Sequence, residues 1–248
     1  MLINLSGLIF EVNPRFKVCE ERFSEFAVTE GKPLETVVVN DEDMKSAMEY
    51  GTQESGEDYA ELMAFCRLFS NILLKYDRCL FHGAALNLDG HACLFCGPSG
   101  IGKSTQIVLW RLLYPDEAQV INGDKPILQF IPETGLETAD GENACKAVIV
   151  HPSPWRGKEN CGYAPAAPLK KIILLRQAKE NRIYPADKKD AVLSLYYQFI
   201  CGDNSEEQVH DMTRMLEKIL GAASVWRLEN KGDRDSARLC HETLAGRK

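Results

Sequence analysis

The sequence lacks the marks of several protein classes. Its single C-x-x-C, Cys93-Leu94-Phe95-Cys96, has no second pair, so a structural zinc site would miss half its ligands. The nine cysteines are odd in number and follow no framework spacing. That argues against a disulfide scaffold and for buried thiols in a reducing compartment. There is no surplus of positive charge: the formal net charge is −7, which speaks against general binding to nucleic acid or anionic membranes. No apolar run approaches the roughly 20 residues of a membrane span. The start, Met1-Leu2-Ile3-Asn4-Leu5, lacks a basic n-region and a cleavage site. We therefore expect a cytoplasmic chain with neither nucleic acid nor membrane as partner. Internal repeats and low-complexity tracts are also missing. What remains is 248 residues, 45% of them hydrophobic, enough to bury one large core with a small appendage.

Against these absences stands one complete motif. Gly97-Pro98-Ser99-Gly100-Ile101-Gly102-Lys103-Ser104-Thr105 matches the phosphate-binding loop G-x-x-x-x-G-K-[ST], the Walker A pattern. The glycines let backbone N–H groups turn inward around a phosphate. Lys103 brings a charge to the β- and γ-phosphates, and the Ser104 hydroxyl is placed for Mg²⁺. An apolar strand pattern, Ala92 to Cys96, precedes the loop, and Ser104 to Leu113 reads as a helix. A phosphate would then sit at a helix N-terminus, where the dipole favours an anion.

Residues 1–50 alternate short apolar runs, Leu5–Val12, Arg22–Val28 and Thr36–Val39, with polar turns, which predicts a small β-rich section. Gly51–Glu57 reads as a loop, with Ser55 a candidate helix cap. From Tyr59 the apolar residues fall at helical spacing, predicting a helix that packs on the following sheet. Cys79–Leu88 and His91–Cys96 read as strands joined by Asp89-Gly90, a strong hairpin signal. Further strands are expected at Gln119–Ile121, Ile127–Ile131, Ala147–Val150, Lys171–Leu175 and Val225–Leu228. Helices are expected at 187–201, 205–220 and from Asp233 through Leu244. Antiparallel strands around the loop, rather than strand–helix–strand alternation, predict an α+β fold with mixed and antiparallel sheets. The expected division is a β-rich section over 1–57 and a nucleotide-binding domain over 58–248.

Four features are candidates to complete a site. The hairpin would return His82 toward the phosphates, as a metal or catalytic residue or as an ordinary strand histidine. Asp124, at a strand end after the loop helix, stands where phosphate-loop enzymes place a second Mg²⁺ contact, although Asn122-Gly123-Asp124 is also good turn chemistry. The loop His151 to Asn160 carries Arg156 and Lys158, which can clamp a transferring phosphoryl group, and Trp155, which can stack on a ring or anchor the loop. Asn230-Lys231-Gly232-Asp233 spells N-K-x-D, a guanine-reading pattern. No D-x-x-G accompanies it, and a helix cap at Asp233 explains the same residues.

With His82-Gly83, the phosphate loop and Asp124 in this order, residues 78–176 resemble the catalytic domain of HPr kinase/phosphorylase. That family shares its nucleotide core with ATP-dependent phosphoenolpyruvate carboxykinase. The resemblance implies that residues Gly97 to Thr105 bind ATP, that His82 and Asp124 are metal contacts, and that self-association occurs. It departs from the family at Gly123, which stands where the proton-accepting aspartate is expected, and in lacking an E-V-R-G-x-G stretch. The Pro154 to Lys158 loop looks like that of uncharacterised or peptide-modifying relatives of the kinase. The resulting expectation is an ATP/Mg²⁺-dependent kinase acting on a serine hydroxyl of a small protein or peptide. Lys103 and the loop would hold phosphates, Ser104 and Asp124 would hold Mg²⁺, Asp124 would double as base, and Arg156 or Lys158 would stabilise transferred charge. The alternatives are a nucleotide-binding scaffold without transfer activity, favoured by Gly123, and a GTPase, resting on Asn230 to Asp233.

Overall fold

Two apolar pairs start the chain as a hairpin: Leu2–Leu5 (β1) and Leu8–Val12 (β2) join across Ser6 and Gly7, both at positive φ (51° and 88°). A computed structural model describes residues 1–50, 56–137, 143–157, 160–162, 164–201 and 205–245. Lys17–Ser24 (α1) follows, where the sequence predicts a strand over Arg22–Val28. The reason is tertiary. The Glu61 carboxylate, fully buried, accepts the N–H groups of Arg15 (2.8 Å) and Phe16 (3.0 Å) and so anchors the helix start from outside. Thr36–Val37 (β3) pairs in parallel with β2. Asp41–Tyr50 (α2), a second helix in the section read as β-rich, starts on a reciprocal pair. Asn40 Oδ1 accepts from Asp43 N at 2.9 Å, and Asp43 Oδ2 accepts from Asn40 N at 3.0 Å. The Ser55 cap lies outside the described residues. Glu57–Leu74 (α3) is helical as its spacing predicts. Its Leu62, Phe65, Phe69 and Leu73 pack into one cluster with Ile3, Phe10 and Phe23 of the N-terminal section, and with Leu80 and Ile127 of the main sheet.

The main sheet begins at Arg78–Phe81 (β4) and Gly83–Leu88 (β5). The single strand predicted over Cys79–Leu88 is therefore two. The chain changes partners at His82: β4 faces Ile127–Glu137 (β8) and Phe199–Ile200 (β12), whereas β5 lies between His91–Cys96 (β6) and Ala118–Asn122 (β7). The β5–β6 turn has Asp89 at φ 51° and Gly90 at φ 79°, the conformation its Asp-Gly pair predicts. Lys103–Leu113 (α4) follows β6. Asn143–His151 (β9) pairs antiparallel with β8. Ala167–Gln177 (β10) meets β9 through its first residues and then runs parallel to both β6 and Ser224–Asn230 (β13). The phosphate-loop strand thus has one antiparallel and one parallel neighbour, rather than antiparallel strands on both sides. Arg182–Pro185 (β11), not predicted, edges β13. Lys188–Tyr196 (α5) stops short of the predicted 201, because Phe199 and Ile200 pair with β4. Glu206–Ala222 (α6) and Arg234–Ala245 (α7) complete the chain.

The sheet is covered on both faces. Leu94, Cys96, Ile172 and Leu174 face α5 and α6, while Cys93, Phe95, Ile173 and Leu175 face α4 and α7. Alternate residues of β6 and β10 therefore enter opposite cores, and both strands read as continuous apolar runs. The molecule is mixed α/β, with seven helices and a small N-terminal sheet among the described residues. Among them no helix is long and apolar enough to cross a membrane.

Candidate functional site

The chain leaves β6 at Cys96 and turns through residues 97–102 into α4. Gly97, Gly100 and Gly102 take φ of 147°, 76° and 112°, which side chains other than glycine rarely adopt. A Cβ at Gly100 or Gly102 would meet nothing within 4 Å. The loop therefore faces open space. No side chain caps α4, and no acidic residue occupies its first turn. Its first N–H groups, left without intrahelical partners, form the positive end of the helix. Lys103 is only 7% exposed. Its Nζ curls back to donate to the carbonyl oxygens of Gly97 (2.8 Å) and Pro98 (3.2 Å). Burial lowers its pKa, opposed by the charge of Asp124.

Asp124 reaches the loop's vicinity through a turn built on Asn122. The fully buried Asn122 amide accepts from Asp124 N (2.9 Å) and Lys125 N (2.8 Å) and donates to Ser153 O (3.2 Å) and Ser153 Oγ (3.0 Å). Across from it, Gly83 N donates to Asp124 O (2.8 Å) and Phe81 N to Pro126 O (3.1 Å). These two bonds flank His82 and bring its Nε2 to 3.5 Å from Asp124 Oδ1. Burial, followed by the charge of Lys103, depresses the His82 pKa to about 4, so the ring is neutral near pH 7. Lys125 Nζ pairs with the other oxygen of Asp124. Burial opposes the Lys125 charge, but Asp124 overrides it and the pKa is raised. Three sequence candidates, His82, Lys103 and Asp124, are thus neighbours. Lys125 joins them unforeseen, although its position beside Asp124 was the available signal. Among the described residues no three His, Cys, Asp or Glu side chains cluster as a metal site. A cation here would need phosphate oxygens and the neighbouring Ser104 hydroxyl besides Asp124 and His82. That suits Mg²⁺, which binds through one or two carboxylates plus substrate phosphates.

Arg156 does not belong to this group. Its side chain is buried against the N-terminal section, with Nη2 2.6 Å from Glu25 Oε1. Trp155 is 1% exposed, donates its indole N–H to Leu62 O (2.8 Å) and stacks edge-on against Phe23. It is a packing anchor and cannot stack on a ligand ring. Lys158 lies outside the described residues. The loop also explains Gly123. A Cβ there would stand 2.9 Å from Arg156 O and 3.0 Å from Cys161 Sγ, so no aspartate fits.

No family model matches the sequence, and no curated protein matches it. Solved structures match it, one of them from Coxiella burnetii. It is titled "Structure of the Hpr(Ser) kinase/phosphatase from Coxiella burnetii", with 11% identity over 67% of this chain and 94% of that one, at a TM-score of 0.25. A TM-score that low carries no role from that protein to any residue of this one.

Two other motifs resolve structurally. Asp233 Oδ1 accepts from Ser236 N (2.9 Å), capping α7, and from Asn181 Nδ2 (2.8 Å), while its Oδ2 pairs with Lys231 at 3.1 Å. Asn230 is buried and donates to Arg176 O at 3.2 Å. Cys93 and Cys96 are buried on opposite faces of β6, and burial pushes both thiols up to about 12, away from thiolate chemistry.

Proposed function

We propose that this chain is an ATP/Mg²⁺-dependent kinase that phosphorylates a hydroxyl of a small protein or peptide. The observation that carries the reading is the uncapped N-terminus of α4 behind an open glycine loop, with Lys103 inside that loop and Asp124, Lys125 and His82 beside it. The residues Gly97, Pro98, Ser99, Gly100, Ile101, Gly102, Lys103, Ser104 and Thr105 would bind the nucleotide phosphates. Binding would release Nζ of Lys103 from the carbonyls of Gly97 and Pro98 to the phosphate oxygens. Ser104, Asp124 and His82 would hold Mg²⁺, which would neutralise charge developing on the phosphates. Asp124 takes the proton of the attacking hydroxyl as its oxygen bonds the γ-phosphorus and the bond to ADP breaks. Lys125, rather than Arg156, whose guanidinium is paired with Glu25, supplies the cation for the transferred charge. Catalysis of this kind is positioning and charge stabilisation. The cap role of Asp233 and the burial of Asn230 support adenine over guanine. The acceptor class follows the resemblance in residues 78–176, as does self-association. A cytoplasmic setting follows from the cysteine usage of the sequence, nine residues with no framework spacing.

A second reading has its own observation. The space for the expected first aspartate is filled at Gly123 by Arg156 O and Cys161, which favours a nucleotide-binding scaffold without transfer. Phosphate incorporation from labelled ATP into proteins and peptides encoded beside the gene separates the two. A kinase labels one of them and loses labelling in Asp124→Asn. ATP binding without any labelling favours the scaffold.

A further inference from the structure

The strand β7 stands at one end of the main sheet. A groove of about 480 Å³ runs beside it, within the roughly 300–1,000 Å³ of sites that hold ligands. Ala118 and Val120 of β7 line it together with Ala164 and Pro165, with Arg111 of α4 and with Cys161 and Gly162. Its two ends are fixed by the backbone. Ala118 N donates to Tyr114 O (2.9 Å), so the last turn of α4, with Arg111, stands at the start of β7. Cys161 O accepts from Gly123 N (3.1 Å), and a Cβ on Gly162 would stand 2.6 Å from Ile121 O, so these two residues stand at its end. The groove therefore follows β7 and closes against Gly123, the residue before Asp124.

The strand edge is partly used, because Val120 O accepts from Ala164 N (2.9 Å). An occupant cannot simply add as a new strand and must be held by its side chains. The lining that meets those side chains is apolar, with one cation at the outer end. Arg111 is exposed and has no ion-pair partner among the described residues. Val108 and Leu112, four apart on α4 and 51% and 57% exposed, extend the apolar surface beside it. An unpaired arginine at the mouth of an apolar trough is complemented by a chain that carries a carboxylate next to small apolar side chains.

We infer that this groove docks the acceptor, an extended peptide segment whose acidic residue pairs with Arg111 while its hydroxyl residue reaches Asp124. The inference rests on the kinase reading above and names the substrate chemistry for that site. β7 has five residues, about 17 Å at roughly 3.3 Å each. An extended peptide of the same length puts the carboxylate about five residues from the hydroxyl.

The test uses the whole protein, labelled ATP with Mg²⁺, and synthetic peptides carrying a single serine in an alanine-rich background. A single aspartate is walked away from the serine on either side. We expect labelling to peak when the aspartate stands about five residues from the serine. Arg111→Glu should weaken that peptide roughly 3- to 10-fold, acting on KM rather than kcat, and should prefer the same peptide with lysine in place of aspartate. Pro165→Trp, a change at an exposed position, should weaken every peptide by filling the groove. ATP affinity should stay the same in both variants. Labelling that ignores the position of the aspartate, or an Arg111→Glu variant that gains no preference for lysine, overturns the inference and leaves the kinase reading standing. So does a change of oligomeric state in Pro165→Trp with peptide labelling untouched, which makes the occupant a second copy of the chain. A wild type that binds ATP and labels neither these peptides nor the proteins encoded beside the gene overturns both.

Discussion

Replacing Asn122 by alanine removes the support of the acidic turn and nothing from its chemistry. Four hydrogen bonds go: two accepted from Asp124 N and Lys125 N, two donated to Ser153. At a net of about 1 kcal/mol each the loss is about 3–4 kcal/mol. That is a large part of a typical total of about 5–15 kcal/mol. For a chain of this size each kcal/mol lowers the melting temperature by about 2–4 °C, so Asn122→Ala should melt about 6–16 °C below wild type. Asn87→Ala is the control. Asn87 Oδ1 also accepts a turn N–H, from Gly90 at 2.9 Å, but at an exposed hairpin. It should cost at most about 1 kcal/mol, one net hydrogen bond. Calorimetric melting of both variants makes the measurement, with Mn²⁺ affinity in the presence of ATP as a second readout for the displaced Asp124. If Asn122→Ala melts no lower than Asn87→Ala, the turn is held by something other than this amide and the account of the site fails.

Lys103→Ala should weaken MgATP binding in a calorimetric titration while the chain stays folded, because Nζ contacts only its own loop; equal affinity would sink the phosphate-loop assignment. Gly123→Asp, which adds a carboxylate at the turn before Asp124, should gain no transfer and should lose about 1–3 kcal/mol in urea unfolding, since its Cβ meets backbone at 2.9 Å. Improved activity in that variant would show that the 153–162 loop yields. His151 is held neutral, its pKa lowered to about 4 by burial and by Arg78. An unfolded histidine titrates near 6.5. The unfolded state therefore binds the extra proton between these values, and stability should fall as pH drops from about 6.5 toward 4. His151→Gln should flatten that slope in a pH series of urea midpoints, and an unchanged slope would assign it elsewhere.

What could be read from the sequence was local. The glycines at 97, 100 and 102 and the pair Asp89-Gly90 encode their own positive φ, so the phosphate loop and the hairpin before it stand where predicted. The helix α1 was hidden because only Cys19 and Phe23 of it are buried and its start is held by Glu61, far along the chain. Arg156 was misplaced for a similar reason. Its cationic loop looks like a phosphate clamp until Glu25 is seen beside it. The apolar spacing of α3 gave its helix but not its destination, since most of its buried face meets the N-terminal section.

The 153–162 loop has a consequence for how the site comes apart. The phosphate cradle closes on itself within a few residues, through Lys103 and the carbonyls of Gly97 and Pro98. The acidic turn is assembled from distant pieces of chain. Ser153 Oγ donates to Lys125 O (2.5 Å), Lys125 N donates to Trp155 O (3.0 Å), Trp155 is rooted in α3, and Arg156 is tied to Glu25. Local opening runs from fraying termini and mobile loops toward the core. Loosening the first 25 residues would therefore disarm the metal arm while leaving the anion-binding arm formed. The two halves of the site differ in the distance along the chain over which each must be remembered, and in a truncated or partly melted protein, nucleotide retention should outlast metal retention.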